Sequence, residues 1–499
     1  MGNIKTQAIL ATLFSYFGVI AGFVTSALLL PKYLEINQLG LIKLITASIG
    51  LLSSIFSLGV VQFFYRTYAQ FSNEVNKRNQ LFYFGLKLVL FGSLLAFPVF
   101  YFFRNSLINY STPTPEFNKT AFFLIAVFVA IVARILYNSI FGYIRMLGKV
   151  VIDAFVQNIV YKAGLLVIVI LFVFNQIDFS NVVYLTIFLS ILFPVIGWIY
   201  LMYRQKFPAY SRGKFFSRTE KREFINLSFF GSLAAVGGSL YIYLDTFMVN
   251  YMLDEKAVGI YGTMFLFGVL VSIPARNLKS VSVSYISSSF ATNDIDKIQA
   301  LYQRSSNTLL AIGGVLFLGI ISNMHVVFKF LPEAFSQTYW IVFFIGIAQL
   351  IDMVTSINIE ILASSKHYKL NTLFVFISII TAAIFNLLLI PVMGLNGAAI
   401  GTFLAIFMNN LVRCIALWKY YGLQPISKNS FKLILLIIFI YFLLIFIPHL
   451  SNLAIDFLFR GTLITLTYFV GLYYLRAAID INKWIDDFLV KLKLRPRTN

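Results

Sequence analysis

Apolar runs of about 20 residues recur along this chain, and that is the length a helix needs to cross the hydrocarbon of a bilayer. Fourteen are found, at 8–30, 40–64, 81–103, 120–142, 150–174, 182–203, 224–248, 258–280, 307–329, 338–363, 370–391, 397–418, 431–449 and 453–475. Lipid offers no water to backbone N–H and C=O groups, so each run must close its own hydrogen bonds as a helix. The reading is an all-α polytopic membrane protein with 14 transmembrane helices. Composition agrees: 12% of residues are charged, where soluble domains carry about 25%. The first run is too long for the apolar core of a cleavable signal peptide and reads as the first span.

Charge sets the orientation. Alternate connections hold most of the 39 Lys and Arg, among them Arg204, Lys206, Arg212, Lys214, Arg218, Lys221 and Arg222 between the sixth and seventh runs. The opposite side holds Lys32, Lys43, Arg104, Lys119, Lys256 and Lys329. By the positive-inside rule both termini are cytoplasmic. The net charge of +20 is then an orientation signal and a headgroup contact, with no nucleic-acid partner. The largest connections, 204–223 and 281–306, are both cytoplasmic, and no outer loop is long enough for a catalytic domain. Ser217-Arg-Thr-Glu220 has capping-box spacing ahead of the seventh span. Asn293-Asp-Ile-Asp296 reads as another helix start. Near the C-terminus Ile481, Trp484, Ile485, Phe488, Leu489 and Leu492 form a helical stripe flanked by Lys and Arg, which predicts an amphipathic helix on the inner leaflet.

One loop is written twice. LPKYLEINQLGLIKL at 30–44 and VNYMLDEKAVGIYGT at 249–263 share a Leu, an acid (Glu35, Asp254) and an apolar-Gly-apolar step at Gly40 and Gly259. The two copies lie close to half the chain apart. Each joins the first two spans of a six-span unit, and an even span number makes the repeats parallel. The expected organisation is an N-lobe with its following loop at 1–222, a C-lobe at 223–424, and spans 13 and 14 with the tail at 425–499.

Tyr33-Leu-Glu-Ile-Asn-Gln-Leu-Gly40 resembles the outer loop after the first span of bacterial polysaccharide flippases, of the O-antigen type. Asp245, followed by Val258-Gly259-Ile260-Tyr261, resembles their seventh and eighth spans. Asn386-Leu-Leu-Leu-Ile-Pro391-Val-Met-Gly394-Leu-Asn-Gly397-Ala-Ala-Ile-Gly-Thr402 is similar to the eleventh-to-twelfth-span signature of the multidrug/oligosaccharidyl-lipid/polysaccharide exporter superfamily. That superfamily includes lipid II flippases and multidrug and toxic-compound extrusion antiporters. The resemblance implies two pseudo-symmetric six-helix lobes. It also implies a polyprenyl-diphosphate-linked oligosaccharide moved by alternating access across the bacterial inner membrane, for surface polysaccharide assembly. Implied partners are that glycan, membrane lipids and other polysaccharide-assembly proteins. Spans 13 and 14 would form a groove for the lipid tail.

Ionisable groups inside a bilayer are costly and mark function by default. Arg134 lies about 12 Å from the inner end of the fourth span and Lys162 about 18 Å into the fifth, at helical rise. Both are candidates for binding an anionic substrate, with the shallower Lys87 a third. Asp245, Asp352 and Glu360 are candidates for a coupling ion, Na⁺ or H⁺, or for pairing with those cations. Asp456 and Arg460 have the i, i+4 spacing of a local ion pair; Arg460 is alternatively a ligand for a lipid phosphate. Arg276 and Arg413 read as anchors near inner ends, and His325 and His449 as hydrogen-bonded structural groups. Small residues in the first span (Ser15, Gly18, Ala21, Gly22) and the seventh (Gly231, Ala235, Gly237, Gly238) predict close helix packing.

Catalytic chemistry is not written here. The sequence has no HExxH and no CxxC, and its single Cys cannot form an internal disulfide. Gly142-Tyr-Ile-Arg-Met-Leu-Gly148-Lys149 has five residues between its glycines where a P-loop needs four, and lacks the following Ser or Thr. A transporter without enzymatic activity, metal or organic cofactor is expected. The alternatives are a cation-coupled multidrug antiporter, which needs acids in its cavity, and a membrane glycan polymerase or glycosyltransferase, which needs a sizeable outer loop.

Overall fold

The computed structural model describes residues 2–61, 63–64, 67, 74–109, 121–147, 149–204, 208 and 216–491. Among them every regular element is a helix. The first eight spans are α1 (Leu13–Tyr33), α2 (Ile36–Phe56), α3 (Asn76–Phe102), α4 (Phe122–Arg145), α5 (Val151–Val173), α6 (Phe179–Tyr203), α7 (Arg218–Met252) and α8 (Glu255–Ser272). Then follow α9 (Ala275–Ala291), α10 (Ile295–Ser322), α11 (Met324–Phe330) and α12, a bent pair of Tyr339–Thr355 and Asn358–Ser364. The last are α13 (Lys369–Met393), α14 (Leu395–Tyr421), α15 (Lys428–Ile445), α16 (Leu453–Leu475) and α17 (Ile479–Lys491). Twelve of these are long and apolar enough to cross a membrane, and fourteen spans result when α7 and α12 each count as one bent span. The ninth to fourteenth spans are α10, α12, α13, α14, α15 and α16.

Helix starts follow the expected chemistry. Ser217 Oγ accepts from the Glu220 backbone N–H at 3.1 Å, while the Ser217 N–H donates to Glu220 Oε2 at 2.6 Å. The Asp294 carboxylate accepts from the Lys297 N–H at 3.1 Å and starts α10. Glu35 and Gln38 form a further capping box at the start of α2. The tail helix α17 carries the predicted stripe as far as Leu489; Leu492 lies outside the described residues.

Three departures from the sequence reading concern the second span, the eighth span and the stretch that follows it. The second span, expected to run on to residue 64, breaks at Ser57, Leu58 and Gly59. Gly59 has φ +66°, and a Cβ there would run into the Ser228 carbonyl of α7. The eighth span stops at Ser272, before Pro274, which cannot donate a backbone hydrogen bond. Finally, the stretch 281–306 is not a loop: α9 and α10 cover it except for residues 292–294.

The chain divides into two compact units, residues 1–260 and 261–499. In the first, α7 lies along α2: Ser54 Oγ donates to the Ala235 carbonyl at 3.2 Å, and Ser239 Oγ donates to Ser54 Oγ at 2.5 Å. The two copies of the repeated loop meet in this unit. A Cβ on Gly40 would strike the Glu255 carbonyl, and a Cβ on Gly259 would stand 2.7 Å from the Ile36 carbonyl. Each glycine thus faces the carbonyl four residues before the other. In the second unit, α12 is broken at Ser356 (φ +45°), which is fully buried. The break is held by buried polar groups: Ser356 Oγ donates to Ser305 Oγ at 2.9 Å. Thr355 Oγ1 and Asn358 Nδ2 each donate to Asn410 Oδ1 at 2.8 Å.

Candidate functional site

Within the first unit, α2, α4, α5 and α6, with Tyr243 of α7, line a cavity of about 240 Å³. Its wall from α2 is apolar (Ile42, Ile45, Ile49) apart from Thr46 and Gly50. The other walls are mostly polar and aromatic: Arg134 from α4; Gln157, Asn158, Tyr161 and Lys162 from α5; Thr186, Ser190 and Phe193 from α6, beside the apolar Val183 and Ile187. The structure therefore brings Arg134 and Lys162 to one space. Both stand at the middle of their helices, Arg134 between Phe122 and Arg145 and Lys162 between Val151 and Val173. At helical rise that is roughly 16 Å from either end, too deep for the charge to reach water by extending along the helix.

Aromatic faces hold the guanidinium. The Arg134 carbon lies 4.6 Å from the Tyr137 ring centroid and 5.3 Å from that of Phe193. Such contacts contribute about 0.5–2 kcal/mol each, the upper end when desolvated. Among the described residues neither Arg134 nor Lys162 pairs with a carboxylate. Two half-buried cations deep in the span without a counter-charge are costly, and an anion in the cavity would offset that cost.

Backbone irregularity places the α5 side chains. Residues Val156–Val160 form a π-helical turn, one residue longer than an α-turn, directly before Tyr161 and Lys162. A second π-helical stretch, Val24–Leu29, lies in α1. The small residues of α1 make room for the polar face of α5. A Cβ on Gly22 would sit 3.1 Å from Lys162 Cδ and 3.3 Å from its Nζ, and one on Gly18 would enter the Asn158 amide.

A polar cluster adjoins the cavity through Tyr137. Its hydroxyl donates to Asp153 Oδ1, and Gln157 Nε2 also donates to that oxygen at 3.1 Å. Arg145 Nε donates to the other carboxylate oxygen at 2.9 Å. One side chain thus carries the Arg134 guanidinium on its ring and a half-buried ion pair on its hydroxyl. The sequence reading missed Tyr137, Asp153, Gln157, Asn158 and Tyr243. The signal was present in part, because Gln157 and Asn158 interrupt an apolar run.

The remaining candidates are dispersed. Lys87 is exposed on α3 and does not line this cavity. Asp245 is buried in α7, also outside the lining. In the second unit Asp352 pairs with Lys279 at 2.7 Å, so its negative charge is already met. Glu360 lies beyond the α12 break. Arg460 forms the local ion pair that its spacing from Asp456 predicts: it is buried, its Nε lies 3.1 Å from Asp456, and its Nη2 donates to the Ile447 and Pro448 carbonyls at 2.7 and 3.1 Å, which occupies the charge that the lipid-phosphate alternative needs. Arg413 is not an interfacial anchor, being 3% exposed in α14. The Arg276 side chain lies outside the described residues.

Comparisons with known proteins agree on this architecture. A family model for "Polysaccharide biosynthesis protein" matches residues 4–276. An uncharacterized membrane protein of Methanocaldococcus jannaschii is 22% identical over 479 residues, covering 93% of this chain and 86% of that protein. Among solved structures, a lipid II flippase, MurJ, in an inward closed conformation is similar with a TM-score of 0.74 at 17% identity, over 93% of this chain and 98% of that one. An inward-facing multidrug resistance MATE family transporter of the MOP superfamily has a TM-score of 0.62 at 11% identity, over 83% and 98%. A MOP superfamily transporter from Pyrococcus furiosus, described as having a binding pocket of reverse polarity, has a TM-score of 0.56 at 12% identity, over 84% and 94%. At these identities the structural likeness is one of fold.

Proposed function

The chain belongs to the polysaccharide biosynthesis protein family, and on that premise we propose that it is a flippase for a polyprenyl-diphosphate-linked oligosaccharide, working by alternating access and without enzymatic activity. In this reading the lipid-linked glycan passes from the inner to the outer leaflet of the inner membrane. The N- and C-termini are cytoplasmic, as the distribution of Lys and Arg supports.

The observation that carries the reading is the pairing of Arg134 with Lys162 in one mid-membrane cavity with no carboxylate beside them. Guanidinium offers a planar fork suited to phosphate oxygens, and ammonium a point charge. Together they suit a diphosphate. The cavity, at about 240 Å³, is smaller than the roughly 300–1,000 Å³ of typical small-molecule sites. A glycan attached to the diphosphate requires it to widen, which is what alternating access supplies. Tyr161, Phe193 and Tyr243 give ring faces for sugars. A cation-coupled multidrug antiporter needs the opposite polarity at this place.

The test is Arg134→Ala in cells. Lipid-linked glycan is expected to accumulate on the inner leaflet at unchanged protein level, with surface glycan reduced. Normal surface glycan in that variant removes Arg134 from the mechanism.

A further inference from the structure

The second unit gathers two of the chain's three histidines around one carboxylate. His325 belongs to α11, His449 to the connection between α15 and α16, and Asp456 to the first turn of α16. One ring nitrogen of each histidine and one Asp456 oxygen all lie within 4.8 Å of one another. The two imidazole centroids are 3.9 Å apart. The Asp456 side chain is fully buried, while His449 is 61% exposed and opens the group to solvent.

Proton bookkeeping shows what the group lacks. His325 Nδ1 lies 3.0 Å from the Ser322 carbonyl oxygen, which can only accept, so Nδ1 carries the hydrogen. In neutral imidazole Nε2 then presents a lone pair. That lone pair faces Asp456 Oδ2, itself an acceptor. Two acceptors at contact require a cation between them. A proton would serve this pair alone. His449 Nδ1, 3.7 Å from the same Asp456 oxygen, adds a third donor converging on the same point. Donors on a tetrahedral zinc ion, with bonds of about 2.0–2.1 Å, stand roughly 3.3 Å apart, so sharing one ion requires His325 Nε2 and Asp456 Oδ2 to part and His449 Nδ1 to close in.

The surroundings are those of an oriented ligand set. A backbone carbonyl fixes the tautomer of His325, as metal-bound histidines require. The Leu450 N–H donates to Asp456 Oδ1 at 2.9 Å, and Arg460 Nε lies 3.1 Å from Oδ2. The guanidinium opposes a cation by its charge. It also holds the Ile447 and Pro448 carbonyls, and so fixes the segment that presents His449.

We propose that His325 Nε2, His449 Nδ1 and an Asp456 carboxylate oxygen bind one divalent transition-metal ion of the zinc type, with water in the fourth position. The ion staples α11, the 446–452 connection and the start of α16 together. It is independent of the cationic cavity and of the flippase reading.

The test uses the full chain purified in detergent through a non-histidine tag and stripped with chelator. Titration with Zn²⁺ by calorimetry is expected to give one ion per chain, and Co²⁺ to give the visible absorption of a tetrahedral site. His449→Ala, a change at a side chain 61% exposed, is expected to lower Zn²⁺ affinity at least about tenfold, the lower range seen on disturbing ligand shells. His325→Gln should do the same, and His367→Ala, which alters the remaining histidine, should bind like the parent. Absence of Zn²⁺ uptake, or equal affinity in His449→Ala, overturns the proposal.

Discussion

Tyr137 is the side chain on which the cationic cavity depends most directly, because its ring and its hydroxyl have separate tasks. The ring supports the Arg134 guanidinium, and the hydroxyl meets the buried Asp153 carboxylate. Tyr137→Phe separates them. Arg134 keeps its aromatic platform, while Asp153 loses one donor and retains Gln157 and Arg145. Leaving a buried acceptor short of a partner costs about 1–3 kcal/mol. The variant is therefore expected to unfold earlier on heating in detergent while retaining, on the flippase reading, its transport of glycan. Unchanged stability would show that Asp153 does not need the hydroxyl. Arg134 and Lys162 were legible in the sequence because a charge in an apolar run is conspicuous. Tyr137 and Asp153 were not. A tyrosine among 28 carries no mark, and Asp153, close to a helix end, looks like a surface acid until Arg145 is seen folding back on it.

At the scale of elements, the repeated loop has a physical reason in the reciprocal approach of Gly40 and Gly259. A Cβ on either would meet backbone carbonyl, from Glu255 or Ile36, and backbone cannot rotate aside as a side chain can. Gly40→Ala and Gly259→Ala are each expected to cost about 1–3 kcal/mol by forcing the two helix starts apart. The double variant should cost less than the sum, because one separation relieves both clashes. A double-mutant cycle on thermal unfolding measures this; strict additivity would mean that the two glycines do not share a contact. The repeat could be read from sequence, since it is a pattern in the letters. The meeting of its copies could not, nor could the breaks at Leu58–Gly59 and Ser356, because neighbouring helices and buried hydrogen-bond partners decide them. The π-helical turns of α1 and α5 were hidden for the same reason: one extra residue per turn leaves no periodic trace in a uniformly apolar run.

For the whole molecule, fold class was legible because span length and charge asymmetry are properties of the entire chain, insensitive to any single contact. That same asymmetry bears on energy. On the flippase reading a diphosphate moves outward across an inside-negative membrane, and each uncompensated charge gains about 2.3 kcal/mol per 100 mV. Arg134 and Lys162 cancel part of the charge that crosses the field only as far as they move with the ligand; fixed in the cavity wall they cancel none of it. For one net negative charge and a barrier midway through the field, about half that energy acts on the rate, a factor of roughly seven per 100 mV. Proteoliposomes under a potassium-diffusion potential should therefore translocate a short-chain polyprenyl-diphosphate glycan several-fold faster than at zero potential. Arg134→Gln should be slower at every voltage and, as far as Arg134 moves with the ligand, steeper in its dependence, because less of the diphosphate charge is cancelled. Flux that ignores the potential in both proteins would mean that the cavity neutralises its cargo completely. The driving force would then have to come from an ion gradient or from removal of the glycan on the far side.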